Sequence, residues 1–233
     1  MAKKSLIFAA VLLAPFPAAA GSFTPPEGCT LKMTVQSRGC SVSNFFVCTA
    51  DTEGDQWRAD FGQDGIYFQS KIDFETQWVE SYEIDPPVKQ VLDPNPTDPA
   101  SFSELLATGN DSFIFGLSKD NGQKSTVRGF DRLTGEEVVI DGVTLKRTEY
   151  EMTETAADGT ILRQSRGREF ISADFRSFFS GQSEILSQGE WVPLEGSPMT
   201  FEFAGDKGFG ATQPIFDCDA VLSLNGAEAG NAG

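Results

Sequence analysis

Four cysteines, no histidine and 34 acidic side chains frame the chemistry open to this chain. Without His there is no Ser-His-Asp triad, no Cys-His pair and no H-E-x-x-H zinc site. G-x-S-x-G and S-x-x-K do not occur either. The GDKGFG stretch at 205–210 lacks the phosphate-cradling spacing of G-x-x-x-x-G-K-[ST] and reads as a turn. Paired carboxylates, as in glycoside hydrolysis, remain, but so acidic a sequence singles out no pair. The expectation is a non-catalytic protein, with no catalytic residue, cofactor or metal assigned.

The cysteines are better used as cross-links. Cys29, Cys40, Cys48 and Cys218 make an even set, which in an oxidising compartment reads as two disulfides with three possible connectivities. Zinc would want tighter spacings such as C-x₂-C and usually His. A turn at Arg38-Gly39 pairs Val35 with Val42, Leu31 with Phe46 and Cys29 with Cys48, all on one face. Cys40 is then left for Cys218, tying the N-terminal hairpin to the C-terminus.

Charged side chains cluster on one long hairpin at 138–172. Asp158-Gly159 is a strong turn signal, because a type I′ turn needs φ > 0 at both positions. That turn sets Glu154 against Arg163, Glu151 against Arg166 and Glu149 against Arg168. The three arginines read either as an anion site or as partners of the facing glutamates, and the register favours the pairs. Tyr150, Met152 and Gly167 share the opposite face. Val143 and Leu145 have the parity of Glu149 and Glu151, so the apolar face must switch near 146–148. A β-bulge would do this.

The elements that position these residues are mostly short strands. Asp64-Gly65 as a turn sets Phe61 against Phe68 and Trp57 against Ile72, with Trp57, Ala59 and Phe61 on one face. WVESYEI at 78–84 is a strand, stopped by Pro86-Pro87 and resumed at 88–92. DPNPTDP at 93–99 lacks the calcium-loop spacing. Asp98 reads as a helix N-cap with Pro99 at the first helical position, Phe102, Leu105 and Leu106 follow at helical spacing, and Gly109 ends the helix. Further strands lie at 111–118, 124–133, 191–194 and 199–203, with turns at Asn121-Gly122, Thr134-Gly135 and Asp141-Gly142. The stretch 174–180 fits either a helical turn or a buried strand. The fold class expected is all-β and mainly antiparallel: a curved sheet, as an unclosed β-barrel or a sandwich, with one short helix.

So short a helix cannot cover a sheet of about eight or more strands, and uncovered aromatic surface implies a ligand or partner. The expected site is an apolar pocket between sheet and helix, lined by Trp57, Phe61, Phe68, Phe102, Leu105, Leu106, Phe113 and Phe115. The competing expectation is a disulfide-tied structural module whose aromatics fill its core.

Segment composition supplies the setting. Lys3 and Lys4, an apolar run at 6–13 and Ala18-Ala19-Ala20 form a secretory signal peptide over 1–20, with the cut before Gly21. A single domain spans 21–224, and the Gly- and Ala-rich tail 225–233 is expected to be disordered. The net charge of −16 disfavours nucleic acid as a partner, and no other run is long enough to span a bilayer. A periplasmic or secreted protein is expected, bound to a hydrophobic ligand or another periplasmic protein, without stable membrane insertion.

Between 56 and 145 the order of elements resembles a known family. A strand ending in a polar turn (WVESYEIDPPVKQVL) leads to a Pro-rich loop, a short amphipathic helix (PASFSELLATG) and a strand (DSFIFGL). This is similar to the middle of the LolA/LolB-like periplasmic carriers. The resemblance implies an unclosed β-barrel with helices plugging its mouth, whose concave apolar face holds the acyl chains of lipoproteins. That family opens with an amphipathic helix, whereas this chain opens with a Cys-rich hairpin, and none of the family's functional residues aligns to a position here.

Overall fold

The long hairpin is the centre of a single antiparallel sheet. The computed structural model describes residues 21–218; the signal peptide read at 1–20 and the tail at 225–233 lie outside them. In chain order the elements are β1 (Cys29–Ser37), β2 (Ser41–Cys48), β3 (Gln56–Gly62), β4 (Gly65–Ile72), β5 (Trp78–Ile84), β6 (Pro87–Leu92), α1 (Phe102–Thr108) and β7 (Asn110–Lys119). They continue with β8 (Lys124–Ile140), β9 (Val143–Ala156), β10 (Ile161–Ser172), β11 (Ser177–Phe179), β12 (Gln182–Ser187), β13 (Glu190–Glu195) and β14 (Pro198–Glu202). The order across the sheet is β13-β12-β10-β9-β8-β7-β6-β5-β4-β3-β2-β1-β14, with β11 also on β10.

The two outermost strands, β13 and β14, are consecutive in sequence and joined only by Gly196 and Ser197. So short a link forces the sheet to curl until its ends approach. The Arg38 N–H donates to the Ser197 carbonyl (2.9 Å), and a Cβ on Gly39 would meet the Glu195 carbonyl oxygen at 2.6 Å. No ladder joins β13 to β14 among the described residues, so the fold is a curled sheet that is not closed into a barrel.

The central hairpin has the expected register: Arg163 faces Glu154, Arg166 faces Glu151, Gly167 faces Tyr150 and Arg168 faces Glu149. Its loop is one residue longer than a two-residue turn, because Ala156 N–H bonds the Thr160 carbonyl. A bulge between Ile161 and Arg163 cancels the offset. The expected face switch is also present. The register of β8 and β9 shifts between Leu133 and Glu137, opposite Thr148 and Lys146, so Thr134-Gly135 belongs to a bulge, not a turn. Beyond it Val138, Ile140, Val143, Leu145 and Phe170 pack on Met33, Val35, Phe45 and Phe201 of β1, β2 and β14. This contact between the two halves of the sheet is the largest apolar cluster.

Both disulfides join the expected cysteines, Cys29 to Cys48 and Cys40 to Cys218. The register near the first turn is corrected. Arg38, Gly39 and Cys40 form a three-residue loop, so Val35 faces Ser43 and not Val42. A shift between Leu31 and Met33 restores the Leu31–Phe46 and Cys29–Cys48 pairs. Val35 therefore belongs to the inner face with Phe45, while Val42 packs outside with Phe46.

The helix starts later than expected. Ser101, not Asp98, is the N-cap: its hydroxyl accepts from the Glu104 N–H, and Gly109 closes the helix at φ 83°. Asp98 instead forms an isolated bridge with Ile114. The 174–180 ambiguity resolves into a turn followed by β11.

Candidate functional site

Alternation along paired strands defines the inner face. It carries Met33, Val35, Ser43 and Phe45 on β1–β2, Arg58 and Asp60 on β3, and Phe68 and Ile72 on β4. On the opposite wall it carries Asp111, Phe113 and Phe115, then Asp131, Thr148, Tyr150, Met152, Arg163 and Glu169. Contacts across the concavity show that these walls meet. The Arg163 guanidinium lies 5.6 Å from the Trp78 ring centre, Trp78 packs edge-on to Phe115, and Gln56 donates to the Phe175 and Arg176 carbonyls.

The predicted aromatic residues divide between different environments. Phe68, Phe113 and Phe115 are on the inner face. Trp57 and Phe61 are on the outer face, in a cluster with Val42, Phe46, Ala59 and Phe23. The expected Phe61–Phe68 pair is corrected by turn geometry. The loop is Gln63-Asp64, Gly65 takes φ 112°, and Tyr67 is bulged, so Phe61 faces Ile66 and Phe68 faces Asp60. Trp57 stacks on Phe46 (6.0 Å) and donates to Asp51, and Tyr82 extends the stack. Lys71 lies beside it between Asp51 and Asp55.

The helix does not roof a pocket. Phe102 and Leu105 are each 1% exposed, packed on Ile171 and Phe178, with Leu106 and Leu133 at the margin. The short helix fills its space and leaves none beneath it. The inner face is open elsewhere. Phe68 and Ile72 are half-buried, and Trp78, Val192 and Leu194 are 39%, 40% and 46% exposed. Register places Val192 and Leu194 on the inner side of β13, opposite Ile185 and Ser183. A cavity of about 110 Å³ lies nearby, lined by Ser43, Arg58, Asp60, Tyr67 and Phe178 among others.

The same face carries polar groups that sequence reasoning missed. Asp111 faces Asp131 across β7–β8, and Asp131 faces Tyr150 across β8–β9. Thr148, fully buried and without a hydrogen-bond partner among the described residues, faces Glu169. Burial raises all three carboxylic acids: Asp111 to about 6, Glu169 to about 7, and Asp131 well above its ordinary value. Arg58 and Arg163 pull Glu169 the other way without overcoming burial. Arg58 is paired with Asp60 (3.0 Å), whereas Arg163 has no carboxylate partner among the described residues and points an N–H at the Met152 sulfur. The clue was present in the hairpin: Glu169 has the parity of Gly167 and Tyr150, an acid on the apolar face.

The arginines of the long hairpin do not form one anion site. Arg168 and Arg132 both approach Glu149, Arg166 pairs with Glu184 of β12 (2.9 Å), and Arg163 turns inward to Trp78. Arg166 faces Glu151 on β9 and Glu184 on β12 alike, and its guanidinium pairs with Glu184.

Fold and site together define an all-β protein with two disulfides, built on one curled, unclosed antiparallel sheet whose inner face is partly open and mixed in polarity. Compared with family models, with curated proteins and with solved structures, the chain matches none. The disulfides indicate an oxidising environment. Among the described residues no helix is long and apolar enough to cross a membrane.

Proposed function

We propose that this is an exported, non-catalytic carrier that holds a hydrophobic ligand, lipid or lipoprotein-like, against the inner face of its curled sheet. One observation carries the reading: Phe68, Ile72, Trp78, Val192 and Leu194 face inward yet keep contact with solvent. Apolar surface of this kind favours a ligand with an apolar body. Arg163, without a carboxylate partner among the described residues and lying over Trp78, suits an acid group at one end of it. Export to the periplasm or beyond is part of the proposal, supported by the n-region, h-region and Ala-rich cut at 1–20 and by the two disulfides. The likeness of 56–145 to the LolA/LolB-like carriers agrees with a concave binding face and contributes no residue to it.

A second reading, a structural or protein-interaction module, is favoured by the packing of Trp57, Phe61, Phe102 and Leu105 into closed clusters. Native mass spectrometry of protein purified without detergent separates the two. The carrier retains or takes up a lipid-sized mass; the structural module stays bare when offered fatty acid.

A further inference from the structure

A cavity of about 540 Å³ lies on the other side of the sheet, over β7–β10. Two rows of side chains cross these four strands and form its floor. One row runs Ile114, Arg128, Thr153, Gln164, and the next runs Ser112, Phe130, Glu151, Arg166, each residue directly opposite the next. Three interstrand spacings of about 4.8 Å make each row about 14 Å long. Trp191 walls one end and Asp98 the other. Arg166 lies 4.0 Å from the Trp191 ring centre, over one face of the indole, and bonds Glu184, so arginine and indole form one fixed wall. Asp98 accepts a hydrogen bond from Ser112 at the far end (2.8 Å).

The chemistry of the floor narrows the ligand. Among the described residues Arg128, Glu151, Thr153 and Gln164 have no side-chain hydrogen-bond or ion-pair partner, although they are neighbours on one groove floor. They supply a donor, an acceptor and two groups that do both. The charged groups lining the groove are Arg128 and Arg166 against Glu151 and Asp98, and Arg166 is also met by Glu184, so no excess of positive charge remains. A lipid would want an apolar floor, and an anion would want an excess of arginine. An extended peptide adding as a strand would want a free sheet edge, whereas β8 and β9 are paired on both sides here and β10 is paired with β12 over Ser165–Gly167. Hydroxyl groups that donate and accept at once, on a ring that can rest against the half-buried indole, fit this balance. We infer that the groove is a binding site for a short neutral oligosaccharide, lying across β7–β10 with one ring against Trp191. It is a site separate from the inner face, and its occupancy does not depend on the carrier reading.

The test uses the disulfide-intact chain and titration calorimetry with cellotriose, maltotriose, chitotriose and mannotriose. Intrinsic tryptophan fluorescence is followed in parallel. At least one of these trisaccharides should bind saturably and change the fluorescence. Trp191→Ala and Arg128→Ala should each weaken that binding at least tenfold at an unchanged melting temperature. Thr153→Val, which keeps the shape and removes the hydroxyl, should weaken it several-fold and guards against misfolding of the larger changes. A dansyl-labelled fatty acid should not compete. The inference is overturned if none of the four binds at millimolar concentration, if binding survives Trp191→Ala and Arg128→Ala together, or if only acidic oligosaccharides or peptides bind.

Discussion

Glu169→Gln gives the sharpest check on the polarity of the inner face. Burial lifts the Glu169 carboxyl from an ordinary 4.5 to about 7. Between those values the folded protein binds a proton that the unfolded chain has released. Its contribution is fully present below pH 4.5 and is lost as pH rises through 7. A shift of this size corresponds to at most about 3–4 kcal/mol. Water still reaches the side chain, which screens the effect to about 1–2 kcal/mol. Glutamine has the shape of the protonated acid and cannot ionise. E169Q should therefore match the parent at pH 4.5 and exceed its stability by about 1–2 kcal/mol at pH 8. Urea unfolding at pH 4.5, 6 and 8, with the disulfides intact, reads this directly. A difference that is the same at all three pH values, or a variant less stable at pH 8, would show that Glu169 is ionised and well solvated in the folded state.

Three further outcomes follow from the packing. Phe61→Ala, in the closed outer cluster at 7% exposure, should lose about 3–5 kcal/mol by chemical denaturation, and Phe68→Ala on the open inner face clearly less. A double-mutant cycle should find coupling of about 0.5–1 kcal/mol between Arg166 and Glu184, and near zero between Arg166 and Glu151 despite their facing positions. Cys40→Ser with Cys218→Ser opens a loop spanning 178 residues and should cost about 2–5 kcal/mol, while non-reducing peptide mapping of the parent should recover Cys29–Cys48 and Cys40–Cys218.

Much of the sheet was legible because local signals agreed with one another. Asp158-Gly159, three Glu–Arg pairs and the parity change at Val143 and Leu145 led to the right register and to a bulge at 146–148, which lies on the partner strand. Cys29 and Cys48 could be paired because any turn near Arg38-Gly39 brings them close, even though the true loop is one residue longer and is corrected at Leu31–Met33. The Trp57–Phe61–Phe68 face failed for the same kind of reason without such a rescue. A bulge at Tyr67 moved Phe68 to the opposite side of the sheet from Phe61, and a one-residue slip inverts every later side chain. Asp98 was misread as a cap because Asp-Pro is a good helix start in isolation; the capping pair Ser101 and Glu104 lay three residues further on. The meeting of Arg58 and Arg163 around Glu169 depends on the curl of the whole sheet, which no local window contains. The acid at 169 was nonetheless visible as a break in the apolar face of the hairpin.

The central claim is that the inner face takes up an apolar ligand, and titration with a dansyl-labelled fatty acid tests it most directly. Wild-type protein should bind the probe with a blue-shifted, saturable rise in dansyl fluorescence. Phe68→Ala and Trp78→Ala should each weaken uptake without unfolding the protein, Arg163→Gln should weaken it more for the free acid than for its methyl ester, and Trp191→Ala on the outer groove should leave it unchanged. A wild-type protein that shows no saturable uptake, or one whose uptake is indifferent to Phe68, Trp78 and Arg163, contradicts the carrier and leaves a structural module in its place.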